Sequence, residues 1–121
     1  MSWTVEAHTA FKAELNDFSE AVQDRLFEAI RYLMEFGPHL GRPHADTLEQ
    51  SKFPNMKELR FKADDGVWRI AYAFDPERKA ILLVGGDKSG GSQKQFYKAL
   101  IQKADARFTD HLNALKQEKH P

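Results

Sequence analysis

Four residues of this 121-residue chain, Arg60, Arg69, Lys88 and Tyr97, have side chains suited to work on a phosphate group. An arginine guanidinium is a planar fork that stays protonated at any working pH and grips phosphate oxygens in pairs. Arg60 and Arg69 flank Ala63-Asp64-Asp65-Gly66, whose Asp-Gly pair suits a hairpin, so the two fall on adjacent strands and can converge on one concave face. Lys88 lies in Gly85-Gly86-Asp87-Lys88-Ser89-Gly90-Gly91, where missing side chains let the backbone approach a phosphate. The stretch is not a P-loop, because the Gly-x4-Gly-Lys-Ser/Thr spacing is missing. Structural roles compete with these chemical ones. The arginines can serve as cross-strand ion-pair partners of Glu58 or Asp64, and Tyr97, next to Phe96, can be a packing residue.

Histidine, with an unperturbed pKa of about 6.5, is the usual proton carrier. The chain has five, His8, His39, His44, His111 and His120, none with a spacing that singles it out. His111 lies near the apolar stripe of the last helix, where a structural role is favoured over a chemical one. His39 and His44 lack an ordered pair geometry for a metal, and there is no cysteine to supply a thiolate or a disulfide. No metal and no cofactor are expected.

These residues need a scaffold, and apolar periodicity supplies it. Trp3 to Ala7 alternates with period two and reads as a short strand. Phe11, Leu15 and Phe18, then Val22, Leu26, Ile30, Leu33 and Met34, recur at helical spacing, with Asp17 or Ser19 available as a cap; an α-hairpin is expected. Gly37-Pro38 ends it, and residues 37–47 read as an irregular connection. Met56 to Lys62 is a strand anchored by Leu59 and Phe61. In Val67 to Phe74 the large residues Trp68, Ile70, Tyr72 and Phe74 share one face and Arg69 lies on the other. Asp75-Pro76-Glu77-Arg78 turns the chain into Ala80 to Val84, an apolar run that Gly85-Gly86 should terminate. A long helix begins near Ser92 or Gln93, with its stripe at Phe96, Leu100, Ala104, Phe108, His111 or Leu112, and Leu115. The tail 116–121 should fray. The expected class is α+β: one domain over residues 1–121, an N-terminal strand and α-hairpin, a three-strand antiparallel meander and a C-terminal helix, the helices packed on a small twisted sheet.

Formal net charge is zero, but it is segregated. Residues 1–51 hold four Lys/Arg against nine Asp/Glu, and residues 52–103 hold eleven against six. The central segment is therefore the candidate polyanion surface, with the acidic front facing elsewhere. The start lacks the regions of a secretory leader and no apolar run reaches the roughly 18 residues of a membrane span; a cytoplasmic protein without a membrane role is expected.

Lys57-Glu58-Leu59-Arg60, Trp68-Arg69-Ile70-Ala71-Tyr72, Arg78 to Leu83, Gly86-Asp87-Lys88 and Phe96-Tyr97, in that order and spacing, resemble the phage-derived Gp49-like, HigB-type branch of the RelE/ParE toxin superfamily. The resemblance implies a RelE-like fold and the toxin of a type II toxin–antitoxin module. Its partner would be a helix-turn-helix, HigA-like antitoxin, and its target messenger RNA on the ribosome. Cleavage would proceed without a metal, by attack of the RNA's own 2′-hydroxyl. Arg69 and Tyr97 match, and Lys88 lies near, positions that stabilise phosphate charge or take part in proton transfer and base stacking, while Lys57, Arg60, Lys62 and Lys94 would hold the RNA. Where RelE-type strands present alternating lysines this chain has Met56 and Glu58, with Lys57 on the opposite face, so the general base is left unassigned. Two other classes stay open: a ParE-like gyrase-inhibiting toxin, which needs no catalytic residues, and a non-enzymatic phage interaction protein of the same fold.

Overall fold

A computed structural model describes residues 2–119. His120 lies outside them. One five-stranded sheet forms the middle layer, with strands β1 (Val5–Ala7), β2 (Ala45–Thr47), β3 (Lys57–Ala63), β4 (Gly66–Phe74) and β5 (Ala80–Asp87) in the spatial order β1-β5-β4-β3-β2. β1 runs parallel to β5 and every other pairing is antiparallel. Helices α1 (Thr9–Leu15) and α2 (Glu20–Phe36) cover one face, and α3 (Gln93–Glu118) covers the other.

The two faces follow from the side-chain alternation of a strand. Leu59, Phe61, Ile70, Tyr72 and Leu82 project toward α1 and α2, where Phe11, Val22, Leu26 and Leu33 meet them. Ala71, Ala73, Ile81 and Leu83 project toward Leu100, Ile101, Ala104 and Phe108 of α3. Small alanines on the α3 side let that helix lie close to the sheet; large rings on the other side fill the space beneath two shorter helices. Each fully buried large side chain contributes roughly 1.5–3 kcal/mol through removal from water.

The caps are those the sequence offers. Ser19 accepts from the Val22 amide at the start of α2, and Ser92 accepts from the Gln95 amide at the start of α3. Gly37, at φ 56°, closes α2 in a conformation that a side chain would strain. Met34, placed on the buried stripe by its spacing, is 37% exposed.

Four expectations need correction. The connection 37–47 is not wholly irregular: Ala45–Thr47 pairs with Leu59–Lys57 and adds an edge strand to the meander. The β3–β4 turn centres on Asp64 and Asp65, both at positive φ, and Gly66 already pairs with Ala63. Asp can take the left-handed conformation that two-residue hairpins need, so the Asp-Gly signal found the right turn one residue late. Gly85 and Gly86 do not end β5; they pair with Ile70 and Arg69, because their missing side chains leave room for Ile70 and Phe96. Finally, α3 runs through Lys116 to Glu118, where fraying was expected.

Candidate functional site: a basic cleft over a buried carboxyl

β3 and β4 bring Arg60 and Arg69 directly opposite one another, as Cα partners in the ladder. Both project to the α3 side, as does Glu58 two residues before Arg60. Above this part of the sheet opens a cleft of about 1180 Å³. Its lining includes Glu58 and Arg60 from β3, Arg42 and Asp46 from and just before β2, and Lys88 beyond β5. Lys94, Tyr97 and Lys98 line it from the first turns of α3. The N-terminal end of α3 adds its own positive partial charge to that wall.

Lys88 is held in place by the backbone. Its amide donates to Val67 O at 2.8 Å, and Asp87 Oδ1 accepts from the Val67 and Ser89 amides and the Ser89 hydroxyl. Those donors, the Ser89 hydroxyl foremost, hold the Asp87 carboxyl below its ordinary pKa. Burial, together with the neighbouring Arg69 and Arg60, lowers the Lys88 pKa; the Glu58 charge opposes this.

Arg69 does not line the cleft, as a phosphate clamp would. It is 5% exposed and lies behind the lining. Its Nε donates to the Tyr97 hydroxyl at 3.2 Å and its Nη1 to Trp68 O at 2.9 Å. From there it fixes the tyrosine and places a positive charge beneath the cleft floor. Burial raises the Tyr97 pKa, and the Arg69 bond pulls it the other way. A tyrosine so perturbed keeps its proton at neutral pH.

Glu58 entered the sequence reading as an ion-pair partner and as a departure from the alternating lysines of RelE-type strands, with no role of its own in the site. It is 4% exposed, yet it lines the cleft. Arg69 Nε stands 3.7 Å from Oε1 and Arg60 Nη1 stands 3.8 Å from Oε2, too far for good hydrogen bonds. Oε1 has no hydrogen-bond donor among the described residues. Burial pushes the Glu58 carboxyl above its ordinary pKa, outweighing the Tyr97 hydroxyl and both guanidiniums. Asp46 takes the opposite course: Arg42 Nη2 at 2.7 Å holds its carboxyl below the usual range.

Among the other expected RNA contacts, Arg60 and Lys94 line the cleft. Lys62 is exposed further along β3 and does not. Lys57 must be removed from the set. It points to the opposite face of β3, where its ammonium donates to Leu40 O at 2.9 Å and Pro38 O at 3.3 Å. Arg42 and Lys98 were missed. Lys98 was findable, since it lies one helical turn beyond Lys94 and beside Tyr97. Arg42 was not, because nothing in residues 37–47 announced an edge strand.

The described histidines lie elsewhere. His111 Nε2 pairs with the buried Asp75 at 2.8 Å, His8 Nε2 with Asp110 at 2.9 Å, and His44 stacks on Tyr32. His39 is exposed after α2 and does not line the cleft. No group of three or more His, Asp or Glu among the described residues is arranged to hold a metal ion.

The family model of phage-derived Gp49-like proteins matches residues 13–109. The chain belongs to the Gp49-like family. It is 38% identical over 120 residues to a Mycobacterium tuberculosis protein named as the toxin HigB2, covering 98% of this chain and 59% of the relative. It is 52% identical over 79 residues to another from that organism, named as the toxin HigB3, covering 65% of this chain and 67% of the relative. The Gp49-like chain thus spans about three fifths of the length of HigB2. In fold it is similar to a free-state variant of Escherichia coli RelE, with a TM-score of 0.61 at 12% identity over 85% of this chain and 97% of that one. It is also similar to a chain of the archaeal RelE–RelB complex of Pyrococcus horikoshii, with a TM-score of 0.53 at 17% identity over 75% of this chain and 100% of that one. The chain's family is thus the Gp49-like one, and its α+β architecture is the RelE-like fold of the solved structures. Among the described residues no helix is long and apolar enough to cross a membrane.

Proposed function

We propose that this Gp49-like chain is the toxin of a toxin–antitoxin pair and acts as a ribosome-dependent messenger RNA endonuclease. The observation that carries this reading is the convergence of Arg60, Lys88, Lys94 and Lys98 with Tyr97 around one open cleft, with Arg69 beneath it. Metal-free RNA cleavage needs cations where charge builds on the phosphorus oxygens, a proton acceptor for the 2′-hydroxyl and a proton donor for the departing 5′-oxygen. Arg60 and Lys94 hold the strand by its phosphates. Lys88, with its pKa lowered, is poised to give up a proton. Tyr97 presents a protonated hydroxyl and a ring face for a base, and Arg69 keeps it in position.

The toxin names of the two mycobacterial relatives support the biological role, and the RelE–RelB structure supports a dedicated antitoxin. A helix-turn-helix, HigA-like antitoxin is the expected partner, and the cytoplasm, where ribosomes translate, the compartment.

The test is induced expression in a bacterium with mapping of cellular RNA 5′ ends, run beside Arg69→Ala. Translated messages should acquire new internal ends, and the variant should lose about 10²-fold or more of the cutting rate. Arrest with intact RNA and inhibited DNA supercoiling would indicate a gyrase-directed toxin instead. Expression without growth arrest, in the absence of any antitoxin, would indicate an interaction module.

A further inference from the structure

We infer that Glu58 is the general base of this site, taking the 2′-hydroxyl proton of the nucleotide that lies in the cleft. The inference rests on the nuclease reading above and supplies the role it leaves empty. Its footing is geometric. Glu58 lines the cleft, is 4% exposed, and keeps Oε1 without a hydrogen-bond donor among the described residues. A carboxylate kept only for structure would be expected to have its lone pairs filled, since a buried acceptor without a donor costs about 1–3 kcal/mol. Here the nearest cations stop at 3.7 and 3.8 Å. Oε1 itself is shielded from solvent, so a substrate hydroxyl meets the carboxylate where Glu58 borders the cleft.

The other groups that line the cleft do not serve as base. Arg42, Arg60, Lys88, Lys94 and Lys98 are cations, and Tyr97 holds its proton more firmly than a free tyrosine. Asp46 is committed to Arg42, whose bond makes it a weaker base than an ordinary carboxylate. Glu49 is exposed on the turn after β2. The described histidines are outside the cleft.

The step balances as follows. The Glu58 carboxylate takes the 2′-hydroxyl proton, and the freed 2′-oxygen pair forms a bond to phosphorus. The bond from phosphorus to the 5′-oxygen breaks, its electron pair leaves on that oxygen, and the oxygen takes a proton from the Lys88 ammonium. One fragment ends in a 2′,3′-cyclic phosphate and the other in a 5′-hydroxyl. Solvent then removes the proton from Glu58 and returns one to Lys88. Efficient acid–base pairs have values drawn toward the working pH, and burial moves these two in that direction, the glutamate up and the lysine down.

The groups that face Glu58, and so shape its titration, are Arg60 on its own strand, Asp46 from β2, Arg69 from β4, Tyr97 from α3, Lys88 from beyond β5 and Arg42 from before β2. As the pH falls through the raised Glu58 value, the base becomes protonated and the rate should fall with it.

The experiment measures single-turnover cleavage of a short synthetic messenger on ribosomes, with protein in excess, for the wild type, Glu58→Gln and Glu58→Asp between about pH 5 and pH 9. Binding of a 2′-O-methyl messenger, which has no proton to give, is measured alongside, and the Glu58 carboxyl is titrated by 13C NMR in the wild type. The wild-type rate should fall on the acid side in step with a carboxyl that titrates above 4.5. Glu58→Gln should cut about 10²–10⁴-fold more slowly and lose that acid limb while binding the methylated messenger normally, and Glu58→Asp should recover part of the rate. A Glu58→Gln protein that cuts within about threefold of wild type with the same acid limb overturns the inference and leaves the nuclease reading intact. A wild-type carboxyl that titrates at or below 4.5 overturns it even if the glutamine variant does not fold. Wild-type protein that leaves the messenger whole defeats the nuclease reading itself.

Discussion

A glutamate that is buried and short of donors holds its proton to higher pH in the folded chain than in the unfolded one. Glu58 is such a residue, so folding binds a proton in the interval between its ordinary value of 4.5 and its raised folded value. Stability must therefore fall as pH rises through that interval, since the folded state there carries more protons than the unfolded. Glu58→Gln removes this penalty. Its heat-unfolding midpoint should lie above that of the wild type at about pH 8, and the difference should close as the pH falls toward the ordinary glutamate range. A midpoint lowered at every pH would mean that the carboxylate is a net stabiliser of Arg60 and Arg69. The same residue shows where sequence reading stopped. Glu58 was visible two positions before Arg60, but its part in the site depends on burial and on arginines that stop short of hydrogen-bonding distance, and spacing encodes neither. Lys57 failed for a simpler reason: strand alternation already placed it on the opposite face from Glu58, and only the resemblance kept it among the RNA contacts.

Strands and helices follow from periodicity where one face of the element is buried, and so α2, β4 and α3 were legible almost to their ends. Short edge elements bury too little to leave a pattern. Ala45–Thr47 is three residues long, and its place beside β3 is set by pairing across the chain. Gly85 and Gly86 misled because glycine usually breaks a strand, whereas here the neighbours need the space. A Cβ on Gly85 would stand 2.6 Å from Ile70 Cδ1 and 3.3 Å from Phe11 Cε1, both in side chains that are fully buried. Gly85→Ala should therefore cost about 1–3 kcal/mol in denaturant unfolding, as overpacking of a full core does. No measurable loss would mean that the Ile70 terminus turns aside freely and that the glycine serves no packing purpose. Arg107 ties the layers together at the other end of the sheet. It grips Glu14 of α1 through two hydrogen bonds of 2.8 and 2.6 Å and also donates to Leu83 O of β5 at 2.8 Å. That contact fixes the two helical layers against one strand, and with them the wall of the cleft that α3 provides.

At the scale of the whole molecule the zero net charge is a poor guide, because fold topology sorts the charges that the sum cancels. Most acids of the front half fall on the α1–α2 layer on one side of the sheet, with Asp46 and Glu49 at the cleft, while Arg60, Lys88, Lys94 and Lys98 gather on the other side. An RNA strand bound in the cleft should then feel the basic side and little of the acids on α1 and α2. Binding of a single-stranded 2′-O-methyl RNA should weaken linearly on a log–log plot against salt, with a slope of about −0.7 for each phosphate neutralised. Lys94→Gln and Lys98→Gln should each make that slope shallower by about 0.7 and weaken binding of all sequences alike. Asp24→Asn and Glu35→Gln, exposed on α2 across the sheet, should leave both slope and affinity unchanged. Surface charges beyond about 8 Å are screened at physiological ionic strength, so an effect of the α2 acids as large as that of the lysines cannot come from the field of the protein. It would require the strand to pass over α2, and the cleft would then not be where RNA is held.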